Sequence, residues 1–255
     1  MEFRNREELN AFLDTLKYIG KGIQGQSLLD EKTNQVYKIF SEEELENAGY
    51  AGDVGYRYTY DGIMRFSHIK NDTFVWPSDV IMTEGLVAGY THSYFNGENF
   101  CDFNDPFGVN LDNLSYAVYK ANEDIKLLSK KKVEINDLMY NLMFDGKTIK
   151  VVDTFEFCKG NVTYSKNVED FNDEIKMFLV NDYFENIVLN DKRLRKIYYD
   201  NTSALTFLRE FKEYLEKIKK QEIKYLGQAR DLVNTDISEN DGRYTRNYSQ
   251  KRFLR

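Results

Sequence analysis

The sequence predicts an α+β protein in which a β-rich first third is followed by a mostly helical remainder. Up to about residue 98 the chain carries short apolar runs bounded by glycine, asparagine and charged residues, a pattern typical of strands. Beyond that point apolar residues recur every three or four positions over long segments, which is typical of amphipathic helices. We therefore expect two lobes, residues 1–95 and residues 96–255, that together make one domain.

The composition of the chain argues against several classes of protein. No apolar run among the 255 residues approaches the roughly 18 that a membrane helix needs, and the polar segment MEFRNREELN is not a signal peptide. We therefore expect no membrane partner. The formal net charge of −7 argues against a general nucleic-acid binder. Cys101 and Cys158 have no metal-binding spacing, so we interpret them as free thiols in a reducing cytoplasm.

The first third begins with a predicted helix over residues 5–16. Asn5 and Glu8 have the spacing of a capping box, and apolar residues follow at helical intervals. Two further short helices are expected, one from Ser41 to Gly49 and one around YRYTYDGIMRF. The predicted strands are KYIGKG, SLLD, QVYKIF, TFVWPSDVIM and GLVAGYTHSYF, of which SLLD and QVYKIF form a hairpin around EKTN.

Two long amphipathic helices dominate the remainder of the chain. The first is LDNLSYAVYKANEDIKLLSKKK, with apolar residues at Leu111, Leu114, Val118, Ala121, Ile125 and Leu128. The second is TFLREFKEYLEKIKKQEIKYL, with an apolar face of Leu208, Phe211, Leu215 and Ile218. Between them, VEINDLMYNLMFDGKTIKVVDTFEF predicts a hairpin that turns at Asp145–Gly146. We interpret the basic, aromatic segment GRYTRNYSQKRFLR as a solvated terminus.

A glycine-rich turn precedes a single lysine in the first third. Gly20, Gly22 and Gly25 are followed by Lys38, thirteen residues after the last of them, in the apolar run QVYKIF. Ordinary hairpin chemistry would explain the glycines, with a lysine that reaches water from an edge strand. The other interpretation is a phosphate site, in which backbone N–H groups and a fixed ammonium hold the anion.

Oxygen-bearing side chains flank the predicted hairpin of the second part. Asp137 and Asn141 precede its first strand, and Asp153 ends its second strand. Hard divalent cations prefer oxygen ligands, so this set is compatible with a metal and phosphate site. Asp and Asn also belong at turns for conformational reasons alone, which is the alternative interpretation.

In their order along the chain, these features resemble the protein-kinase-like superfamily. IGKGIQGQSLLDEKTNQVYKI is similar to its glycine-rich loop, G-x-G-x-x-G, and the strand lysine that follows. GYTHSYFNG is similar to the strand that runs into the interlobe hinge, with His92 near the gatekeeper position. IKLLSKKKVEINDLMYN resembles the helix and catalytic loop, and VVDTF resembles the Asp-Phe-Gly segment. The resemblance covers roughly residues 17–157 and implies a two-lobed protein-kinase-like fold with a β-rich N-lobe and a reduced helical C-lobe.

This resemblance implies ATP-dependent phosphotransfer to a hydroxyl of a protein or a small molecule, with Mg²⁺ or Mn²⁺. The implied residues are Gly20, Gly22, Gly25, Lys38, Ser93 and Tyr94 for the nucleotide, Asn141 and Asp153 for the metal, and Asp137 with Lys38 for catalysis. Asp137 would accept or orient the proton of the attacking hydroxyl. The acidic partner of Lys38 is expected among Asp61, Glu43, Glu44 and Glu46.

Departures from the family pattern keep other functions open. Asn141 follows Asp137 by four residues, where the pattern H-R-D-x-x-x-x-N has one residue more. Ile135 replaces the usual histidine, and Thr154 and Phe155 replace the Phe-Gly pair. No Ala-Pro-Glu segment follows, so the helical part resembles that of small bacterial and small-molecule kinases. A pseudokinase that binds nucleotide or protein without turnover is the main alternative, and nucleotidyl transfer on the same fold is a third.

Overall fold

The computed structural model describes residues 1–48 and 52–233 and confirms the α+β class. The described chain divides into two compact units. The first is Met1–Asn96 with Asp153–Phe155, and the second is Gly97–Val152 with the chain from Glu156 onward. A mixed β-sheet dominates the first unit, and helices dominate the second. Asp153–Phe155 thus belongs to the first unit, although the chain on both sides of it belongs to the second.

A six-stranded sheet organises the first unit. Its strands are β1 (Glu2–Phe3), β2 (Lys17–Gly22), β3 (Gly25–Asp30), β4 (Gln35–Phe40), β5 (Asp79–Thr83) and β6 (Leu86–Ser93), in the spatial order β1-β5-β6-β4-β3-β2. β1 runs parallel to β5, and the other neighbours are antiparallel. The predicted hairpin of SLLD and QVYKIF is confirmed as β3 and β4. The run TFVWPSDVIM is a strand only from Asp79, because Pro77 has no N–H to give to a strand ladder.

Four short helices of the described chain accompany the sheet: α1 (Arg6–Leu13), α2 (Glu42–Ala48), α3 (Gly52–Arg57) and α4 (Tyr60–Met64). As predicted, the Asn5 side chain caps α1 by accepting from the Glu8 N–H at 2.9 Å. The single helix predicted around YRYTYDGIMRF is wrong, because the Thr59 side chain accepts from the Gly62 N–H and starts α4 as a separate helix. Ser41 caps α2 as predicted, whereas the predicted end at Gly49 lies outside the described residues.

Two glycines let neighbouring strands approach β4 closely. A Cβ at Gly25 in β3 would overlap the carbonyl oxygen of Ile39, and a Cβ at Gly89 in β6 would overlap that of Lys38. Glycine within a strand commonly marks such a close approach of two backbones. The strand that carries Lys38 is therefore packed tightly from both sides.

Helices make up most of the second unit. They are α5 (Leu111–Lys130), α6 (Tyr164–Leu179), α7 (Glu185–Asn190), α8 (Lys192–Tyr199) and α9 (Ala204–Lys219), with a π-helical turn at Val180–Phe184. The prediction for α5 is confirmed, since all six of its predicted apolar residues are buried. α9 is shorter than predicted, because Lys220 has left-handed backbone (φ 52°) and ends the helix. Ile218, expected on the apolar face of α9, is 41% exposed.

Short strands complete the second unit: β7 (Glu98–Asn99), β8 (Val133–Glu134), β9 (Leu142–Phe144), β10 (Ile149–Val151) and β11 (Cys158–Lys159). The predicted hairpin is confirmed as β9 and β10, with Gly146 at φ 90° in its turn. Short 3₁₀ segments lie at Pro106–Gly108, Thr154–Glu156 and Leu226–Leu232. Within residues 1–48 and 52–233, no helix combines the length and apolar character needed to cross a bilayer. The basic segment GRYTRNYSQKRFLR lies outside the described residues.

Candidate functional site

Lys38, which is buried, forms an ion pair with the partly buried Asp153 inside the first unit. Lys38 is only 8% exposed, and its Nζ lies 2.6 Å from Oδ2 of Asp153. A charge taken out of water is tolerated only when it is paired, so this contact accounts for a lysine in the interior. β4 lies between β3 and β6, and the alternative of a lysine that reaches water from an edge strand is therefore wrong.

Tyr90 completes the cluster around the Asp153 carboxylate. Its hydroxyl donates to Oδ1 at 2.6 Å, while the Lys38 ammonium donates to Oδ2. Tyr90 in β6 is directly opposite Lys38 in the antiparallel register, so both side chains lie on the same face of the sheet. We call these three residues the buried cluster. The sequence analysis missed Tyr90, and the pairing of β4 with β6 is the signal that identifies it.

The two residues after Asp153 are also held within the first unit. The Thr154 hydroxyl donates to the carbonyl oxygen of Val75 at 3.0 Å. The Arg65 guanidinium donates to the carbonyl oxygen of Phe155 at 2.7 Å. Each residue from Asp153 to Phe155 therefore has its own polar anchor, and Arg65 is a supporting residue that the sequence analysis did not find.

Aromatic packing fixes the position of the Tyr90 ring. Neighbouring ring centroids among Phe40, Tyr58, Tyr90 and Phe155 lie 5.0 to 6.0 Å apart. Tyr90 is 1% exposed, and Phe155 stacks on it with an angle of 18° between the ring planes. Because close-packed rings have little freedom to move, the Tyr90 hydroxyl is held at a defined place beside Asp153.

The acidic partner of Lys38 is Asp153 and none of the four carboxylates that the sequence suggested. Glu43, Glu46 and Asp61 are exposed, and Glu44 accepts a hydrogen bond from the Tyr58 hydroxyl. Carboxylates in water are already well solvated, so they have no need of a buried ammonium. The expectation of a partner on the following helices is therefore corrected.

The glycine-rich segment is a β-hairpin formed by β2 and β3. Gly22 pairs with Gly25 across the turn, and Gly25 is required by the packing against Ile39. Packing does not require glycine at Gly20 or Gly22. A Cβ at either position would meet no heavy atom of the described chain within 4 Å. Hairpin packing thus explains Gly25, but it leaves the backbone at Gly20 and Gly22 open for a ligand to approach.

His92, Ser93 and Tyr94 lie at the end of β6. His92 is buried, and its Nδ1 lies 2.9 Å from the carbonyl oxygen of Ser93. Burial lowers the pKa of His92, although the bond to Ser93 and the negative charge of Asp153 partly offset this effect. Ser93 is exposed and Tyr94 is half-buried, so both side chains have access to solvent.

Asp137 and Asn141 form a polar turn of their own in the second unit. Asp137 is exposed and has left-handed backbone (φ 54°). Nδ2 of Asn141 donates to the backbone oxygen of Asp137 at 2.8 Å and to its Oδ2 at 3.2 Å. Both bonds use the amide nitrogen of Asn141. Its Oδ1 takes no part in them, and it is an oxygen ligand of the kind that divalent cations prefer.

Asn167 in α6 anchors the chain that leads into this turn. Its Oδ1 accepts from the Ile135 N–H at 3.0 Å, and its Nδ2 donates to the Val133 carbonyl at 2.8 Å and to the Ser129 hydroxyl at 2.9 Å. Asn167 is 3% exposed, so these bonds satisfy an amide that would otherwise be costly to bury. The sequence analysis missed it, because an asparagine in a polar helical segment has the pattern of a surface residue.

The oxygen-bearing residues suit a cation that is shared with phosphate. No group of three or more His, Cys, Asp or Glu side chains in the described parts of the chain is arranged to hold a metal by itself. Mg²⁺ usually takes one or two protein carboxylates and completes its shell with water and phosphate oxygens. A carboxylate offers about four lone-pair sites, so Asp153 keeps acceptor capacity beyond its bonds to Lys38 and Tyr90.

Neither the models of known protein families nor the curated proteins that we searched match this chain significantly. The features of the described chain that bear on its class are the buried cluster and the open backbone of the glycine hairpin.

Proposed function

We propose that this chain is a kinase-like phosphotransferase that uses ATP with Mg²⁺ or Mn²⁺ to phosphorylate a hydroxyl of a protein or a small molecule. The ion pair of Lys38 and Asp153 is the observation that carries the proposal. A buried ion pair is often no more stabilising than apolar residues of the same volume, so stability alone does not explain it. A cation for phosphate and an anion for a divalent metal, held side by side, are the charges that phosphoryl transfer needs.

The residues of the first unit would hold the nucleotide phosphates. When bound, ATP supplies the phosphoryl group and the divalent cation neutralises its negative charge. The Lys38 ammonium binds phosphate oxygens, and Asp153 supplies an oxygen ligand for the cation. The backbone near Gly20 and Gly22 would offer further donors, because the space that a Cβ would occupy at these positions is open to a ligand.

Asp137 is the proposed base. By the sequence resemblance, its exposed carboxylate would accept the proton of the acceptor hydroxyl as the new O–P bond forms and the bond between the γ-phosphorus and the ADP oxygen breaks. Asn141 orients this carboxylate by donating to Oδ2. The role of Asn141 as a second metal ligand, through its Oδ1, rests on the sequence resemblance.

A pseudokinase, which binds nucleotide or protein without turnover, is the second candidate. One observation favours it: the Asn141 amide already donates to Asp137, in a loop one residue shorter than the family pattern. An oxygen that already accepts one hydrogen bond offers fewer sites to a substrate hydroxyl. Formation of ADP from bound ATP separates the two candidates.

The test compares ATP with adenosine in the Lys38→Met variant. Removing a charge-assisted hydrogen bond costs about 1.5–3 kcal/mol, so we expect a roughly ten- to hundredfold loss of ATP affinity. Adenosine has no phosphate, and its affinity should not change. Lys32→Met, in the exposed turn between β3 and β4, removes the same charge and serves as the matched control.

Titration calorimetry in the presence of Mg²⁺ measures these affinities. If ATP and adenosine weaken alike in Lys38→Met, the substitution has damaged the unit as a whole. If neither ligand weakens, Lys38 is not a phosphate ligand and the proposal is wrong.

A further inference from the structure

We infer that Tyr90 is a positioning residue for the metal-binding carboxylate of Asp153, an inference that rests on the proposed function. The Tyr90 hydroxyl donates to Oδ1 of Asp153 at 2.6 Å. The nearly complete burial of Tyr90 and its stacking on Phe155 fix the donor in place. Tyr90 itself would touch neither the metal nor the nucleotide, so it acts through Asp153.

Asp153 lies outside regular secondary structure, and hydrogen bonds from other strands orient its carboxylate. Asp153 has φ 54°, in a left-handed region where non-glycine residues are uncommon, and it lies two residues after Val151, the last residue of β10. The orientation of its side chain is therefore set by the groups that bond it. Lys38 in β4 and Tyr90 in β6 provide one donor for each oxygen.

The Lys38 ammonium and the Tyr90 hydroxyl would respond differently to a bound phosphate. In the proposed function the Lys38 ammonium also binds phosphate oxygens, so it is shared between two anions. The Tyr90 hydroxyl carries no charge and has no comparable attraction to phosphate. It could therefore keep Oδ1 in place while Lys38 turns part of its hydrogen bonding to the nucleotide, and the remaining lone pairs of Asp153 would stay available to a cation.

Hydrogen bonds that orient a metal ligand typically change metal affinity by about 10- to 100-fold when they are removed. We therefore expect Tyr90→Phe to weaken Mn²⁺ binding in the presence of ATP by that factor. The ring and its aromatic packing remain in the variant, and only the hydroxyl is lost. Adenosine affinity should stay unchanged, which a general loosening of the unit would not allow.

Two matched variants remove other tyrosine hydroxyls of the same unit. Tyr37→Phe changes a buried residue next to Lys38 in β4 that packs in a different apolar cluster. Tyr58→Phe removes a hydroxyl that donates to Glu44, from a ring that packs on Phe155. Neither change touches Asp153, so both variants should bind Mn²⁺ like the wild type.

The experiment follows free Mn²⁺ by electron paramagnetic resonance as it is titrated into protein with ATP, with circular dichroism to verify the fold. Selective loss of Mn²⁺ affinity in Tyr90→Phe supports the inference. If the wild type binds Mn²⁺ with ATP but Tyr90→Phe binds it equally well, or loses adenosine affinity to the same extent, the inference is overturned and the proposed function stands. If the wild type shows no ATP-dependent Mn²⁺ binding, the proposed function fails and the inference fails with it.

Discussion

Two aspartates with the same left-handed φ angle, Asp153 in the first unit and Asp137 in the second, lie in opposite environments. Both have φ 54°. The Asp153 side chain is 22% exposed, and its two oxygens accept from Tyr90 and Lys38. Asp137 is exposed and accepts from Asn141 within its own turn.

Two aspartates that share a φ angle can therefore have different roles, because their surroundings differ. Asp153 compensates a buried positive charge, so the folded state depends on it. Within the described residues Asp137 forms no ion pair with a buried cation, so its exposed carboxylate is available to a ligand. We expect substitutions at Asp153 to affect stability and metal binding, and substitutions at Asp137 to affect turnover.

The largest expected effect is on turnover in Asp137→Ala. General base catalysis typically contributes about 10²- to 10⁴-fold, so ADP formation should fall by that factor. ATP affinity, measured by calorimetry on the same preparation, should remain within about twofold, because a base acts on the acceptor and not on nucleotide binding. If ATP affinity collapses while turnover per bound nucleotide is preserved, Asp137 is a binding residue. The proposed difference in role between Asp137 and Asp153 would then be wrong.

The next largest effect is on stability in Asp153→Ala. Removing one partner of a buried ion pair leaves the other charge unpaired and costs about 3–5 kcal/mol, and the partial exposure of Asp153 places the expected loss at about 3 kcal/mol. Asp137→Ala breaks no buried ion pair, but alanine at φ 54° is strained, so this variant should lose only about 1 kcal/mol of unfolding free energy. Urea unfolding measures both.

A double variant sharpens this stability test. Lys38→Met combined with Asp153→Ala removes the unpaired ammonium together with its partner. It should therefore be more stable than Asp153→Ala alone. Equal losses of stability in Asp153→Ala and Asp137→Ala would contradict the contrast between the two environments.

The smallest expected effect concerns pH and the burial of His92 near the buried cluster. Burial lowers its pKa in the folded protein below the ordinary value of 6.5, so the unfolded chain binds this proton more readily. The stability that His92 contributes as a neutral side chain is fully present above about pH 6.5 and is lost as the pH falls towards the folded-state pKa.

If the folded and unfolded states differ by one bound proton at His92, the free energy of unfolding changes by at most about 1.4 kcal/mol per pH unit. His92→Gln should therefore flatten the dependence of unfolding free energy on pH below about 6.5. His68 is exposed and is the other histidine of the chain, so His68→Gln is the control. If His68→Gln changes the pH dependence of the unfolding free energy and His92→Gln does not, the burial of His92 does not explain that dependence.

The fold was predictable where local patterns decide it. The helix α5 follows from a regular apolar stripe, and the hairpin of β3 and β4 follows from two short apolar runs around a polar turn. Ends of elements were less predictable, because they depend on single residues. Thr59 starts α4 through a side-chain hydrogen bond, and Lys220 ends α9 through its left-handed backbone.

The candidate site was predictable only in part, because its contacts are distant in sequence. Lys38 stood out as a lysine within an apolar run, but its partner Asp153 lies 115 residues further along the chain. Spacing along the sequence favoured four carboxylates nearer to Lys38, of which three are exposed and Glu44 is bonded by Tyr58. Tyr90 became recognisable only through the strand register that places it opposite Lys38.

The central claim is that the buried cluster binds phosphate together with a divalent cation through Asp153. Its most direct test is calorimetric titration of ATP into the wild type and the Asp153→Asn variant, each with and without Mg²⁺, after circular dichroism has verified that the variant is folded. We predict that Mg²⁺ strengthens ATP binding to the wild type and leaves ATP binding to Asp153→Asn unchanged. The same Mg²⁺ dependence in both proteins, or no ATP binding by the wild type, would contradict the claim.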